Sequence, residues 1–297
     1  MKRITKITVA IPTLNRPDAL ARCLEALLVK GTVLPAEVLI VNQGEYYAAE
    51  QVINCARLNS PAPIVHCSQP KKGLSAARNL ASIQAHCRVI AFTDDDCVPA
   101  PDWLETIERT MATNPSADGV TGSILPLGDE SAGLFPISIR TNKKGKTFQG
   151  HALPWHVGSG GNFAIRRDWL FRVRGYDERL GAGSPGKAAE DTDLFYRLLL
   201  SGAVIRYEPE VVISHERQDA ARLIRSFWNY SYGIGAFTAK HFRAGDPYAI
   251  YLLGVWLFWL IWRTGSSILR RRKMYIGEGW LSLKGCSHGL AYGFKLR

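Results

Sequence analysis

Three consecutive carboxylates, Asp94-Asp95-Asp96, end an apolar run and are the residues of this sequence best suited to chemistry. Like charges this close repel, and a desolvated carboxylate costs several kcal/mol unless a cation or a proton compensates it. Carboxylate oxygens are the ligands that hard divalent cations such as Mg²⁺ and Mn²⁺ prefer. The triplet therefore suggests a site for a cation that bridges to a diphosphate, and a solvated turn is the alternative.

The elements that must position the triplet alternate between strands and helices. ITVAIPTLN, AEVLIVNQG, APIVHCS and RVIAFTDDD have the composition of buried strands, and PDALARCLEALLVK and LSAARNLASIQAHC have helical periodicity. This order predicts an α/β fold with a parallel sheet covered by helices on both faces. Ligands bind beyond the C-terminal strand ends of such sheets, which is where PTLN, NQG and DDD fall.

A second acidic pair, Glu190-Asp191, begins the helix predicted for AEDTDLFYRLLLSG. Carboxylates are common in the first turn of a helix, so capping explains this pair as well as catalysis does. The turn GSGGNFAIRR and His215 at the end of EVVISH also have plain structural interpretations, as a glycine turn and a histidine at a strand end. The residues alone leave these alternatives open.

Six motifs resemble, in order and spacing, those of bacterial-type family 2 glycosyltransferases of the GT-A fold. They are VAIPTLNRPDAL, KKGLSAARNLA, FTDDDCVPAPDWL, GSGGNFAIRRDWL, GYDERLGAG and AEDTDLFYRLLLSGAVIRYEPEVVISH. The resemblance implies a hexosyltransferase with a Rossmann-like, mostly parallel sheet. It also implies a catalytic domain over residues 1–217, with the nucleotide held by about 1–100 and the acceptor by 101–217.

The resemblance implies a donor site that contains Mg²⁺ or Mn²⁺. Asp96 is the expected metal ligand, Asp94 lies near the metal or the donor ribose, and His215 matches a metal-ligating histidine of some GT-A enzymes. Arg78 is expected to meet the base or the diphosphate, and a structural ion pair is its alternative. The expected donor-binding residues are Pro12, Thr13, Asn15, Arg16, Asn42, Gly73, Arg78, Asp94 and Asp95.

One position departs from the family pattern. Family members usually have an acidic residue after the second strand that accepts a hydrogen bond from the base, whereas this sequence has Asn42. An amide both donates and accepts, so it is able to recognise another base edge. A UDP-sugar is the expected donor, and GDP- and dTDP-sugars are the alternatives.

The resemblance also implies the reaction and the acceptor side. Asp191 is the expected general base of an inverting transfer, which removes the proton of the acceptor hydroxyl, and Glu190 orients the acceptor or the loop. Asp177 either contacts the sugar or holds its loop, and Trp155 is either an acceptor platform or a buried aromatic. The expected sugar- and acceptor-binding residues are Gly160, Gly161, Asn162, Asp177 and Trp155.

The net charge of +11 belongs mainly to the C-terminal tail. Residues 263–297 hold eight Lys or Arg and one acid, Glu278, so they carry +7 and the preceding residues carry +4. This distribution argues against a nucleic-acid partner. The six cysteines show no CxxC pair, so neither a zinc site nor a disulfide framework is indicated.

The tail follows an uncharged segment, Tyr248–Trp262, with six aromatic rings. As a helix it is roughly 22 Å long, shorter than the ~30 Å hydrocarbon core of a bilayer. Aromatic residues before the basic cluster Arg270–Lys273 suit the cytoplasmic face of a membrane. Residues 218–297 are therefore expected to be helical, and residues 248–297 to contact the cytoplasmic side of the inner membrane, peripherally or with one short span.

Glycines at 285, 289 and 293 recur every four residues and predict close helix packing along one face. The N-terminus lacks a signal-peptide core, so the bulk of the protein is expected in the cytoplasm. The function expected from the resemblance is sugar transfer to a lipid-linked or polysaccharide acceptor. The alternatives are a catalytically inactive membrane-surface protein of the same fold, a glycoside hydrolase, and a basic membrane- or nucleic-acid-binding module.

Overall fold

The computed structural model describes residues 2–70, 72–128, 133–269 and 273–296. Its strands are β1 (Ile7–Thr13), β2 (Glu37–Asn42), β3 (Ile64–Ser68), β4 (Val89–Thr93), β5 (Cys97–Pro99), β6 (Gly119–Pro126), β7 (Leu134–Phe135), β8 (Lys146–Phe148), β9 (Asn162–Arg166), β10 (Ile205–His215) and β11 (Gln218–Asp219). Its helices are α1 (Pro17–Leu24), α2 (Tyr46–Asn59), α3 (Leu74–Gln84), α4 (Trp103–Thr113), α5 (Arg167–Arg172), α6 (Glu190–Leu200), α7 (Ala220–Arg243), α8 (Tyr248–Leu269) and α9 (Lys273–Gly293). A π-helical segment (Glu25–Lys30) extends α1, and a 3₁₀ turn (Pro154–His156) precedes β9.

Nine of the described strands form one sheet in the order β3-β2-β1-β4-β9-β6-β10-β5, with β8 paired to β10. The strands β1 to β4 pair in parallel, as their sequence order predicts. Beyond β4 the sheet is mixed, because β9 is antiparallel to both β4 and β6. Asn162 of β9 pairs with Thr93 of β4, so the glycine turn before β9 lies beside the Asp94–Asp96 loop after β4.

Helices cover both faces of the sheet, which confirms the predicted α/β class. Val9 and Ile11 of β1 pack with α1, α2 and α4 on one face. Ala10, between them, packs with α3 and α6 on the other. Because successive strand side chains point to opposite faces, a strand buried on both is apolar over most of its length, as β1 is at Val9, Ala10 and Ile11. Charged groups therefore collect at the strand ends.

Sequence periodicity predicted no helix between β2 and β3, and the structure has α2 there. This helix buries only Ala49 and Ile53, so its apolar stripe is too short to stand out. Parallel strands cannot be joined by a tight turn and need a crossover connection, which is usually helical. The predicted parallel arrangement of β2 and β3 therefore already indicated a crossover helix between them.

The glycines of α9 bring it into backbone contact with α7, as their spacing predicted. A Cβ atom added at Gly289 would lie 1.9 Å from the carbonyl oxygen of Tyr232, and one at Gly293 would lie 2.4 Å from that of Ala236. Only a residue without a side chain permits this approach. The two helices therefore form the most closely packed helix pair of the C-terminal region.

Helix α8 presents large apolar side chains to the outside. Phe258, Trp259, Ile261 and Trp262 are all more than half exposed. Among the described residues, Tyr248–Ser267 is the one helical stretch long and apolar enough to cross a membrane, and 17% of its most apolar window is buried. The basic residues Arg270–Arg272 predicted to follow it lie outside the described residues.

We predict that Gly289→Ala destabilises the C-terminal helices by about 1–3 kcal/mol, because the added methyl must push the α7 backbone away. The matched control is Gly277→Ala in the same helix, where a Cβ atom meets nothing within 4 Å. There alanine should be neutral or stabilising by up to about 1 kcal/mol. Thermal unfolding of both variants in detergent checks this, and equal melting temperatures would contradict the close packing of α7 and α9.

Candidate active site

The two predicted acidic groups line one cavity of about 440 Å³. It opens at the C-terminal ends of β4 and β10 and at the N-terminal end of α6. Asp94, Asp191 and His215 reach it from three different parts of the chain. Glycines of the turn before β9 and Trp155 complete its wall. The cavity is therefore the candidate active site.

A buried arginine joins the two acidic groups. Arg78 of α3 is 1% exposed, and its Nη2 donates to Asp94 Oδ1 at 2.9 Å while its Nη1 donates to Asp191 Oδ1 at 2.7 Å. Burial alone would lower the pKa of Arg78, but the two carboxylates outweigh it and hold that pKa well above its ordinary value. The geometry matches the ion-pair alternative for Arg78. A contact with the nucleotide stays a prediction.

Glu190 lies beside this ion pair at the start of α6. Its Oε1 is 3.5 Å from Arg78 Nη1. Burial and the adjacent Asp191 carboxylate raise the pKa of Glu190. The preceding residue, Ala189, has a left-handed backbone with φ +67°, which costs energy for a residue with a side chain and is typical of functional sites. The helix start thus holds a carboxyl group that tends to stay protonated.

Asp95 points away from the cavity and binds the loop after β1. Its Oδ2 accepts from Thr13 Oγ1 at 2.8 Å and its Oδ1 from Arg16 Nη1 at 3.2 Å. Burial and the neighbouring Asp96 raise the pKa of Asp95 to about 6. The three carboxylates of the triplet thus have different partners: Asp94 pairs with Arg78, Asp95 holds the loop, and Asp96 lies beside His215.

Asp96 and His215 form a pair suited to a divalent cation. His215 Nε2 lies 3.6 Å from Asp96 Oδ1, and His215 Nδ1 contacts the carbonyl oxygen of Glu216 at 2.8 Å. Since a carbonyl only accepts, Nδ1 is the nitrogen that donates, and in the neutral ring Nε2 is then the nitrogen with a lone pair, on the side of Asp96. Cys97 Sγ is also close, but burial and Asp94 raise the pKa of its thiol. Arg16 donates to Asp96 Oδ2 at 2.6 Å, and Oδ1, which also accepts from Cys97 Sγ at 3.9 Å, is the oxygen that faces His215.

The glycine turn before β9 is shaped by these carboxylates. A Cβ atom at Gly160 would lie 2.2 Å from Asp191 Oδ1, and one at Gly161 would lie 2.6 Å from Asp94 Oδ2. The amide of Gly160 donates to Asp191 Oδ2 at 2.7 Å. Gly161 therefore lines the cavity, and Gly160 holds the predicted base through its amide.

Asn162 differs from its prediction as a sugar-binding residue. It is fully buried, its Oδ1 accepts from Trp103 Nε1, and its Nδ2 donates to the carbonyls of Ser123 and Val211. The pairing of β10 with β6 is irregular before Val212. The side-chain amide of Asn162 donates to the Val211 carbonyl, which lies at this irregularity. Its role is structural because no hydrogen-bonding group of the side chain is left for a ligand.

The side chain of Asn42, the predicted base-reading residue, binds its own turn. It is buried, its Oδ1 accepts from the amide of Gly44 at 2.9 Å, and its Nδ2 donates to the carbonyl of Glu45 at 3.1 Å. The side chain therefore shapes its own turn. Asn15, with φ +52°, reinforces the same turn by accepting from the amide of Glu45. Base recognition by Asn42 stays a prediction.

The remaining predicted residues lie around the cavity or hold its loops. Pro12 is buried in β1 and pairs with β2, and the amide of Gly73 donates to Gln43 Oε1. Trp155 lines the cavity. Asp177 holds its loop rather than facing the cavity: burial would raise its pKa, but hydrogen bonds from Arg179 and Lys240 lower it to about 2.

A buried cluster that sequence reasoning missed joins α6 to α7. Asp193 is fully buried and accepts from Arg197, Lys240 and His241. Burial would raise the pKa of Asp193, but these partners hold it well below its ordinary value. Two of the partners lie 47 and 48 residues away, so no local pattern reveals them.

The fold and its acidic site agree with the match of this chain to a known protein family. Residues 8–173 match the family model for glycosyl transferase family 2. The chain therefore belongs to this family and is a glycosyltransferase that uses a nucleotide-sugar donor. The resemblance drawn from the six motifs is confirmed, and the glycoside hydrolase alternative is wrong.

Several curated proteins are similar over most of this chain. A glucosyl-dolichyl phosphate glucuronosyltransferase of Haloferax volcanii is 25% identical, covering 89% of this chain and 87% of that protein. A chondroitin synthase of Escherichia coli is 25% identical over 72% of this chain and 35% of that protein. A pre-mycofactocin glycosyltransferase of Mycobacterium tuberculosis is 24% identical over 91% and 55%. The chain thus spans about half or less of the last two.

Solved structures share the fold. A Pyrobaculum calidifontis mannosyltransferase in complex with GDP-Man and Mn²⁺ aligns with a TM-score of 0.60 at 16% identity, covering 97% of this chain and 73% of that one. Staphylococcus aureus TarS in complex with UDP-GlcNAc aligns at 0.59 and 16% identity, covering 79% and 66%. At this identity the likeness shows the fold alone, and it confirms the predicted GT-A class.

We predict that Arg78→Met destabilises the protein by about 3–5 kcal/mol at pH 7, because it leaves buried carboxylates without their cation. Without the guanidinium the repulsion between neighbouring carboxylates is uncompensated, and acid relieves such repulsion because a protonated carboxyl carries no charge. The destabilisation should therefore shrink toward pH 5. Urea unfolding of wild type and variant at both pH values checks this, and a cost that does not change with pH would contradict the ion-pair account.

Proposed function

We propose that this glycosyltransferase is a metal-dependent, inverting enzyme that transfers a sugar to a lipid-linked or glycan acceptor at the cytoplasmic face of a membrane. One observation carries the proposal. A single cavity holds Asp191, Asp94 and His215, with Asp96 next to that histidine, and Arg78 fixes the acidic groups relative to one another. A cation site and a base thus face the same space.

On the donor side, Asp96 and His215 would hold Mg²⁺ or Mn²⁺. The bound cation would act as a Lewis acid that neutralises charge on the departing diphosphate. The Mn²⁺ and GDP-Man of the Pyrobaculum mannosyltransferase, and the UDP-GlcNAc of TarS, support a cation and a nucleotide-sugar here. Thr13 and Arg16 tie the loop after β1 to the acidic triplet, so this loop is the expected wall of the nucleoside site. UDP- and GDP-sugars are both compatible donors.

On the acceptor side, Asp191 would act as the general base. Its two oxygens are oriented by Arg78 Nη1 and by the Gly160 amide, and the side chain is 23% exposed toward the cavity. The acceptor oxygen forms a bond to the anomeric carbon as the bond from that carbon to the diphosphate oxygen breaks. The acceptor proton moves to Asp191. One displacement of this kind inverts the anomeric configuration.

Membrane contact is proposed for residues 248–297. The support is the exposed apolar surface of α8, defined here by Phe258, Trp259, Ile261 and Trp262. The similarity to a glucosyl-dolichyl phosphate glucuronosyltransferase supports a lipid-linked acceptor. We also propose residues 1–217 as the catalytic domain and 218–297 as the membrane-associated region. The Asp193 cluster then joins the two regions.

We predict that one of UDP, GDP, dTDP or CDP raises the melting temperature of the purified protein only when Mn²⁺ is present, since ligands that bind the folded state stabilise it. Asp96→Ala should abolish this shift. Asp191→Asn should keep it and lose sugar transfer to acceptors in a membrane extract by about 100-fold or more. Asp18→Asn, at an exposed position of α1, is the matched control.

Two outcomes contradict the assignments separately. If the Asp191→Asn variant still transfers sugar, the assignment of Asp191 as the general base is wrong. If a nucleotide raises the melting temperature without Mn²⁺ and also in Asp96→Ala, the assignment of the metal site is wrong. Membership of the family is unaffected by either result.

We predict that the full chain floats with anionic phospholipid vesicles. Replacing Phe258, Trp259 and Trp262 together by Ser should reduce the floating fraction at least about tenfold, because each large side chain loses about 1.5–3 kcal/mol of apolar burial. Leu58→Ser with Ile83→Ser is the matched control, since both are exposed apolar residues of the catalytic region. Equal loss in both variants would contradict a membrane surface on α8.

A further inference from the structure

A second cavity of about 580 Å³ adjoins the active-site cavity. It lies between α7, α8, α9 and the segment 136–156, and its wall is mostly apolar, with Phe227, Ile234 and Trp256 among its residues. A pocket of this size fits a small organic ligand or a segment of hydrocarbon chain. Six residues line both cavities: Ser138, Arg140, Trp155, Ala189, Thr192 and Tyr230. The two cavities therefore meet.

The outer end of the second cavity reaches the apolar surface of α8. Trp259 lines the cavity and is also 57% exposed. Leu260 and Val255 of the same helix line it as well. A continuous apolar path thus runs from the surface proposed to contact the membrane to the wall of the active-site cavity.

A positively charged side chain, Arg140, lies where the two cavities meet. Arg140 Nη2 donates to the carbonyl oxygen of Trp155 at 2.6 Å. Burial lowers the pKa of Arg140, and no carboxylate of the described residues lies within ion-pair distance of it. The other arginine of the wall, Arg263, is paired with Glu278. Arg140 is therefore the cation at the junction with capacity for an anion.

We propose that the second cavity binds the lipid chain of a glycan acceptor linked to lipid through phosphate, with its phosphate at Arg140 and its reacting sugar hydroxyl toward Asp191. The inference rests on the proposed function, because it places the acceptor of that same reaction. A phosphate accepts charge-assisted hydrogen bonds from a guanidinium, and the chain is removed from water by Phe227, Tyr230 and Trp256. Neither a soluble glycan nor a free nucleotide makes use of this apolar wall.

The first test fills the cavity. Full-length protein in phosphatidylcholine nanodiscs is photolabelled with decyl phosphate that carries a terminal diazirine, and the labelled peptides are mapped. We expect labels on the α7 and α8 residues of the cavity. Leu223→Trp adds volume to the wall and should reduce that labelling about tenfold. Ile224→Trp, half exposed and outside the wall, should leave it unchanged. Labelling confined to the outer surface of α8 would overturn the proposal.

The second test removes the charge and does not depend on packing. Arg140→Gln keeps a donor for the Trp155 carbonyl and should weaken decyl phosphate labelling about tenfold while leaving labelling by the matching decanol probe unchanged. Arg109→Gln, on an exposed arginine of α4 paired with Glu210, is the control. Inorganic phosphate should not compete. Equal labelling by both probes, with no effect of Arg140→Gln, would overturn the phosphate assignment.

Nucleotide binding separates this inference from the proposed function. The Mn²⁺-dependent nucleotide shift in melting temperature should persist in Leu223→Trp and Arg140→Gln, which also shows that both fold. If nucleotide binds and the cavity is not labelled, the acceptor site is wrong and the proposed reaction stands. If the wild type binds no nucleotide and its cavity is still labelled, the proposed function is wrong and the lipid site stands.

Discussion

The buried guanidinium of Arg78 is the interaction on which the rest of the site depends. It joins Asp94, at the end of β4, to Asp191, at the start of α6, two elements that the chain brings together from far apart. A buried arginine is tolerable only with carboxylate partners, and the carboxylates are tolerable only with the arginine. The Asp94 side and the Asp191 side of the site therefore both depend on the same arginine. For the proposed sugar transfer, this pairing would keep the donor and acceptor sides at a fixed separation before any substrate binds.

The C-terminal helices extend this constraint from the sheet to the exposed apolar surface of α8. Helix α7 is tied to α6 through Asp193, and Gly233 of α7 lets the strained loop at Ala188 and Ala189 approach its backbone. Helix α9 then packs on α7 through backbone contact at Gly289. These contacts thus fix the position of the apolar surface of α8 relative to Asp191, the carboxylate that is proposed to activate the acceptor. An enzyme that takes its acceptor from a bilayer needs a fixed distance between its membrane-contacting surface and its base, because the reacting hydroxyl must come within hydrogen-bond distance of that base.

Local patterns in the sequence predicted much of this structure, and long-range partners explain what they missed. Strands β1 to β4, the glycine face of α9 and the apolar α8 were predicted because their signals lie within a few turns or residues. Helix α2 was missed because it buries only two side chains. Asn162 was misjudged because its carbonyl partners come from β6 and β10, 39 and 49 residues away. Arg78 lies 113 residues from Asp191, a pairing that only the folded sheet creates.

The most direct measurement is a crystal structure of the protein with Mn²⁺ and the nucleoside diphosphate that stabilises it, with the cation located by its anomalous signal. The account predicts a manganese peak bound by Asp96 and His215, the diphosphate beside it, and Arg78 still bridging Asp94 and Asp191. A manganese ion bound elsewhere, or an Arg78 that has left Asp191 for the diphosphate, would contradict it.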